Sequence, residues 1–140
     1  MDRRPEPPAD EAAALASLTA EEGRTRMEIQ EERSGGVLVI TPTGRLDTTT
    51  SGDLELRLFR LLEAPERRFV IDLGRTEYIS SAGLRVLLML AKKLPALGGE
   101  LVLCELRPSV RQVFELAGFD ALFRLDATRP EAVARLAGPA

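Results

Sequence analysis

The chain has 140 residues, of which 44% are hydrophobic and 29% charged, a balance typical of one globular domain. Its net charge of −3 argues against nucleic acid as the main ligand, because a phosphate binder needs clustered positive charge. The absence of histidine and the single cysteine exclude a Ser-His-Asp triad, a zinc site and an internal disulfide.

Residues 1–26 differ in composition from the rest of the chain. Three prolines stand among acidic residues, and only two leucines are available for burial, which is typical of a disordered arm. No apolar run has the length of a membrane span, and the N-terminus lacks the apolar segment of a signal peptide. We therefore predict a disordered arm over 1–26 and one domain over 27–140, located in a reducing cytoplasm and not attached to a membrane.

From Met27 onward, the pattern of apolar residues predicts alternating strands and helices. A Ser-Gly-Gly turn joins two strands into a hairpin, and apolar residues at helical spacing then alternate with short buried strands. The predicted elements are strands 27–33 and 37–44, helix 54–63, strand 68–73, helix 82–97, strand 100–106, helix 108–118, strand 122–125 and helix 129–137. This order predicts an α/β domain, a mixed β-sheet with parallel central strands and about four helices packed on it.

Small residues stand at the start of the helix predicted over 82–97. Serine is a preferred N-cap, so we expect either Ser80 or Ser81 to cap this helix. Gly83 is less expected there, because glycine weakens a helix by about 1 kcal/mol relative to alanine. Small side chains leave a serine hydroxyl uncovered and let another backbone approach. A phosphate would also be accommodated at the free N–H groups of a helix N-terminus, where it would add about −1.5 to −2 charges.

Four separated blocks of the chain, in one register, resemble the STAS domain and most closely its stand-alone bacterial form, the anti-sigma factor antagonists. The blocks are "GRLDTTT" (44–50), "FVIDLGRTEYISSAGLRVLL" (69–88), "GGELVLCEL" (98–106) and "VRQVFELAGFDALFRL" (110–125). The resemblance covers everything except the N-terminal arm. It implies a STAS-like fold and a binding protein that is not an enzyme and needs no metal or cofactor.

The resemblance also implies partners. Proteins of this kind bind an anti-sigma factor that is also a serine kinase with a histidine-kinase-like ATPase fold, and this binding releases the sigma factor. The kinase then phosphorylates the antagonist on a serine at a helix N-terminus, which breaks the complex. A PP2C-type phosphatase removes the phosphate. No direct contact with nucleic acid is implied.

Site residues follow from the same resemblance. In the family's Asp-Ser-Ser-Gly motif the phosphoacceptor lies two residues before the glycine, so Gly83 places it at Ser81, with Ser80 as the second choice. Asp47 matches the acidic residue of the loop after the second strand, which contacts the partner. The residues implied in partner binding are Asp47, Thr48, Thr49, Ser80, Ala82, Gly83 and Arg85. This chain departs from the motif in having Ser80 in place of the aspartate and Ala82 in place of the second serine.

Three other classes of function stay open, one of which is an enzyme whose chemistry uses carboxylates alone. A phospho-aspartate receiver domain would use Asp72, near the end of a central strand, but it also needs an acidic pair and a lysine at a strand end. Lys92 and Lys93, the only lysines, both fall within a predicted helix. The alternative that fits better is a STAS subunit that binds its partner without being phosphorylated, within a signalling or lipid-transport complex.

Overall fold

The computed structural model describes residues 27–137, so the arm predicted over 1–26 and the last three residues of the predicted domain lie outside the described residues. In chain order the elements are β1 (Glu28–Ser34), β2 (Val37–Leu46), α1 (Ser51–Leu62), β3 (Arg68–Asp72), β4 (Thr76–Ile79), α2 (Ser81–Ala96), β5 (Glu100–Cys104), α3 (Pro108–Ala117), a 3-10 turn (Phe119–Ala121), β6 (Leu125–Asp126) and α4 (Arg129–Ala137). The predicted α/β order is confirmed, with bounds shifted by a few residues.

One strand was not predicted. β4 has only four residues and pairs in parallel with the end of β2, past a register shift between Gly44 and Arg45. The strand predicted over 122–125 was also misplaced. It lies at Leu125–Asp126, so only Leu125 of the predicted range belongs to β6.

The sheet is mixed, as predicted. Its strand order is β1-β2-β3-β5-β6, and β4 pairs with β2 beside this path. Among the strands of residues 27–137, only the hairpin of β1 and β2 is antiparallel, and the other pairings are parallel. The hairpin turn needs two residues with positive φ, which Gly35 (φ 58°) and Gly36 (φ 81°) provide without the strain that a side chain would cause.

Each face of the sheet is covered by different helices, because successive side chains of a strand point to opposite faces. Leu38 and Ile40 of β2 belong to the larger core under α1, α2 and α3, whereas Val37 and Val39 face α4. The larger core also contains Leu54, Leu58, Phe69, Ile71, Leu87, Leu90, Leu103, Val110 and Phe114. The smaller one contains Val70, Val102, Cys104, Ala132 and Leu136.

An arginine fixes α4 to the sheet. Arg129 Nε lies 2.8 Å from Asp72 Oδ2, and the same guanidinium donates to Thr41 Oγ1 at 2.9 Å and to Glu32 Oε1 at 2.6 Å. The other carboxylate oxygen of Asp72 accepts a 2.8 Å hydrogen bond from the Gly74 N–H. Asp72, the residue that a receiver domain would phosphorylate, therefore has both oxygens engaged within the domain, where it holds α4 in place.

Candidate functional site

The N-terminus of α2 lies beside the loop that follows β2. Leu46 of β2 pairs with Ile79 of β4, and the next N–H, that of Ser80, donates a 2.9 Å hydrogen bond to the Leu46 carbonyl oxygen. The unpredicted strand β4 thus brings the two chain segments together. One leads into α1 through Asp47, and the other leads into α2 through Ser81.

Ser80 is the N-cap of α2. Its backbone is extended (φ −101°, ψ 175°), its Oγ accepts a hydrogen bond from the Gly83 N–H at 3.4 Å, and its carbonyl accepts one from the Leu84 N–H at 2.9 Å. The side chain is half-buried. Of the two serines that the sequence offers as caps, Ser80 is therefore the one whose side chain satisfies a free N–H group of the first turn.

Ser81 has a different environment. It is the first residue of α2 and is exposed to solvent. Within residues 27–137 its hydroxyl forms no hydrogen bond, since the neighbouring Ser80 already caps the helix. The Ser81 hydroxyl is therefore open to an incoming protein, next to the partly positive end of the helix.

Gly83 explains how α2 comes so close to β2. It is buried, and a Cβ at this position would lie 2.7 Å from Leu46 Cγ and 3.0 Å from the Leu46 carbonyl oxygen. A Cβ would also lie 3.0 Å from Ile79 Cγ1. That the small residues let an enzyme's backbone approach stays a prediction, whereas Gly83 admits a backbone of the same domain. The approaching backbone belongs to the end of β2.

The loop after β2 is organised by one carboxylate. Asp47 Oδ1 accepts hydrogen bonds from the Thr49 hydroxyl at 2.8 Å, the Thr49 N–H at 3.0 Å and the Thr50 N–H at 3.3 Å. These bonds, the one from the Thr49 hydroxyl first, lower the pKa of Asp47 below its ordinary value. The Asp47 carbonyl accepts a 2.8 Å hydrogen bond from Ser51, the first residue of α1. Asp47 is therefore a charged residue that also shapes the start of α1, while Thr48 and Thr49 are exposed.

Two further residues contribute to this surface and were missed in the sequence. The Arg45 guanidinium lies 4.3 Å from the centroid of the Tyr78 ring, and its Nε is 3.6 Å from Asp47 Oδ2. Tyr78 is 40% exposed. No local pattern indicates this cation–π contact, because it depends on β4 lying against the end of β2.

The structure brings the predicted site residues to one end of the domain. Asp47, Thr48 and Thr49 form the loop, and the serine pair with Ala82, Gly83 and Arg85 forms the first turns of α2. Gly83 is buried and acts through packing, whereas Arg85 is exposed one turn after Ser81. Between residues 27 and 137 no cluster of three or more acidic or cysteine side chains is placed to hold a metal ion. In the same range no helix is long and apolar enough to cross a membrane.

Comparison with known proteins is consistent with this architecture. The STAS domain model matches residues 28–132. A relative from Bordetella bronchiseptica, named as the anti-sigma factor antagonist BtrV, is 44% identical over 108 residues, which cover 77% of this chain and 93% of the relative. The crystal structure of an anti-sigma factor antagonist from Mycobacterium paratuberculosis has a TM-score of 0.74 at 27% identity, over 80% of this chain and 95% of that one.

Two further structures share the fold, each at 23% identity. One is the anti-sigma factor antagonist SpoIIAA in its unphosphorylated form, with a TM-score of 0.62, and the other is the Bacillus cell fate determinant SpoIIAA in its phosphorylated form, with a TM-score of 0.60. The two structures cover 80% and 77% of this chain, and 100% and 98% of their own chains. Because the family model spans most of the chain and the Bordetella relative matches over nearly its full length, this chain belongs to the STAS domain family.

Proposed function

We propose that this protein is an anti-sigma factor antagonist that is switched by phosphorylation of Ser81. In its unmodified form it binds an anti-sigma factor, itself a serine kinase with a histidine-kinase-like ATPase fold, and so releases a sigma factor in the cytoplasm. The name of the Bordetella relative supports the antagonist function. The observation that carries the switch is the exposed Ser81 hydroxyl at the first residue of α2, beside a serine that already serves as the cap.

The difference between the two serines supports Ser81 as the acceptor. A kinase needs a hydroxyl that reaches its active site, and the Ser80 Oγ is half-buried and bonded to the Gly83 N–H. The Ser81 hydroxyl has neither restriction. Ser81 therefore accepts the phosphate in this proposal, and Ser80 keeps the helix start intact.

Capping also accounts for the departure from the family motif. Aspartate and serine are both preferred N-cap residues, because each presents an oxygen to the free N–H groups of the first turn. Ser80 stands at the position of the family's aspartate and makes this bond. The substitution keeps the cap and removes one negative charge beside the acceptor.

The loop supplies the second part of the contact surface. Asp47 carries a charge that its hydrogen bonds stabilise, and Arg45 and Tyr78 extend the exposed surface on its far side. A phosphate on Ser81 would add about −1.5 to −2 charges to a surface that already carries Asp47. A carboxylate that the partner places against this surface would then face a like charge, and such a contact across an interface costs several kcal/mol, which weakens the complex. A PP2C-type phosphatase would then restore binding.

The test is to incubate the full chain with ATP and the kinase encoded beside its gene, then to map phosphopeptides and measure binding. We expect phosphate on Ser81 and loss of the complex. Phosphate on Asp72 would contradict the proposal in favour of a receiver domain. A stable complex without any phosphate would favour the alternative, a STAS subunit that binds without a switch.

A further inference from the structure

The outer face of α2 carries a line of residues that begins at Ser81. Arg85, Leu88 and Lys92 follow Ser81 at intervals of four, three and four residues, so all four lie on one side of the helix. The opposite side contributes the buried residues Leu84, Leu87, Leu90 and Leu94. At 1.5 Å per residue the line extends for about 16 Å, or three helical turns.

The floor and the rim of this face differ in chemistry. Leu88 and Met89 are half-buried and form the floor of an open groove of about 470 Å³, whose rim is cationic. Arg85, Lys92 and Lys93 line the rim, and within the described residues none of the three forms an ion pair. The two lysines are the only lysines of a chain whose net charge is −3.

Helix α1 extends the apolar part of the surface. Phe59 is 40% exposed and lies 5.8 Å below the Lys93 ammonium, measured to its ring centroid. An apolar floor between cationic edges fits one kind of occupant, an amphipathic helix whose flanks carry carboxylates. Methionine in the floor adapts to the side chains of such a helix, because its thioether chain is flexible.

We propose that this stripe, defined by Ser81, Arg85, Leu88, Met89, Lys92 and Lys93, docks an acidic amphipathic helix of the partner protein. The stripe is continuous with the Ser81 surface, so the inference rests on the proposed function and specifies the chemistry of its partner. Phosphorylation acts on the stripe directly. A phosphate on Ser81 stands four residues before Arg85, the spacing at which helical side chains form ion pairs, and withdraws this arginine from the partner's carboxylates.

The first test measures binding of the kinase to the full chain and to two variants with the same change of charge. Lys92→Glu reverses a charge on the stripe, and Arg124→Glu reverses an exposed charge just before β6, away from the stripe. We expect about tenfold weaker binding for Lys92→Glu, a difference that shrinks with added salt, and unchanged binding for Arg124→Glu. Equal binding of all three proteins would overturn the proposal that the stripe docks the partner, and it would leave the proposed function standing.

A second test does not need the kinase. The probes are two synthetic peptides of three turns, each held helical by a covalent link between two side chains because a free helix of this length is marginal in water. One has leucine at positions i, i+3, i+4 and i+7 and glutamate elsewhere, and the other has lysine in place of glutamate. We expect the glutamate peptide alone to shift the backbone amide signals of residues 85–93 in the NMR spectrum of the full chain. No shift with either peptide would overturn the inference. Shifts produced only by vesicles with about 30% phosphatidylserine would overturn it too, in favour of a membrane surface.

The regulatory step has its own readout. In the phosphorylated full chain, ³¹P NMR gives the pKa of the phosphate, which we expect to be lower in the wild-type chain than in Arg85→Gln, because a neighbouring guanidinium favours the doubly charged form. Equal values in the two proteins would show that Arg85 does not pair with the phosphate. If the wild-type chain neither binds the kinase nor accepts phosphate, the proposed function fails, and the peptide test alone decides the stripe.

Discussion

The backbone N–H of Ser80 donates a 2.9 Å hydrogen bond to the carbonyl oxygen of Leu46. Each of these residues stands directly before a predicted contact residue, Ser81 in one case and Asp47 in the other. This bond between main-chain atoms therefore helps to set Ser81 beside the Asp47 loop, independently of the side chains of Ser81 and Asp47.

Replacing the acceptor separates binding from phosphorylation. We expect Ser81→Ala to bind the kinase without taking up phosphate, and Ser81→Asp to bind much more weakly, because a fixed negative charge costs several kcal/mol on this surface. Ser80→Ala should still be phosphorylated, with a loss of about 1 kcal/mol in the free energy of unfolding from the missing cap. Phosphopeptide mapping locates the phosphate, and calorimetry measures the change in stability. Equal phosphate uptake by the wild type and Ser81→Ala would exclude Ser81 as the phosphoacceptor.

Asp47 combines a charge with a role in loop structure, and two variants separate them. Asp47→Asn keeps an oxygen that Thr49 and Thr50 can bind, whereas Asp47→Ala removes it and should lower the free energy of unfolding by about 1 kcal/mol. Both should weaken binding of the kinase while the far-UV circular dichroism stays native. If Asp47→Asn binds as well as the wild type, the loop geometry matters and the charge does not.

The same residue predicts a dependence of stability on pH. The folded-state pKa of Asp47 is lowered relative to its unfolded value, which is about 3.9. Its carboxylate therefore contributes stability that is fully present above the unfolded pKa and is lost as the pH falls through the folded pKa. The difference in urea stability between the wild type and Asp47→Ala should shrink over this range. If this difference stays constant as the pH falls, the hydrogen bonds to the Asp47 carboxylate do not stabilise the folded state.

Gly83→Ala tests the close approach of α2 to β2. The added methyl group would meet Leu46 at 2.7 Å, so we expect a loss of about 1–3 kcal/mol in the free energy of unfolding. Gly52→Ala in the first turn of α1 is the matched control, because nothing lies within 4 Å of its Cβ position. It should gain about 0.4–1 kcal/mol. Similar effects of the two substitutions in urea unfolding would show that α2 can move away from β2.

Arg129→Met tests the attachment of α4. It leaves Asp72 without its guanidinium partner, and the side chains are only 32% and 11% exposed, so we expect a loss of about 2–3 kcal/mol in stability. Arg33→Met breaks an ion pair with Glu66 in which the arginine side chain is 52% exposed, and should leave the melting temperature nearly unchanged. An equally small effect of both would mean that α4 is held by its apolar contacts alone.

Much of the fold could be predicted because its elements are marked locally. Pro108 at the first residue of α3 and Gly118, with φ 74°, at its C-cap are both readable in the sequence. β4 could not be predicted, since four residues with exposed Glu77 and Tyr78 carry too short a pattern and owe their conformation to pairing with β2. The choice between Ser80 and Ser81 as the cap depended on the same missing strand. The disordered arm expected over residues 1–26 stays a prediction.

The contact at Gly83 has a consequence for how the state of Ser81 is sensed. With its first turn packed against the end of β2, α2 has little room to slide along that strand. If Ser81 is the switch that we propose, a protein would therefore sense its state by direct contact, and the kinase and the phosphatase would compete for one area of the surface. The amount of sigma factor released would then follow the relative concentrations of these two competitors.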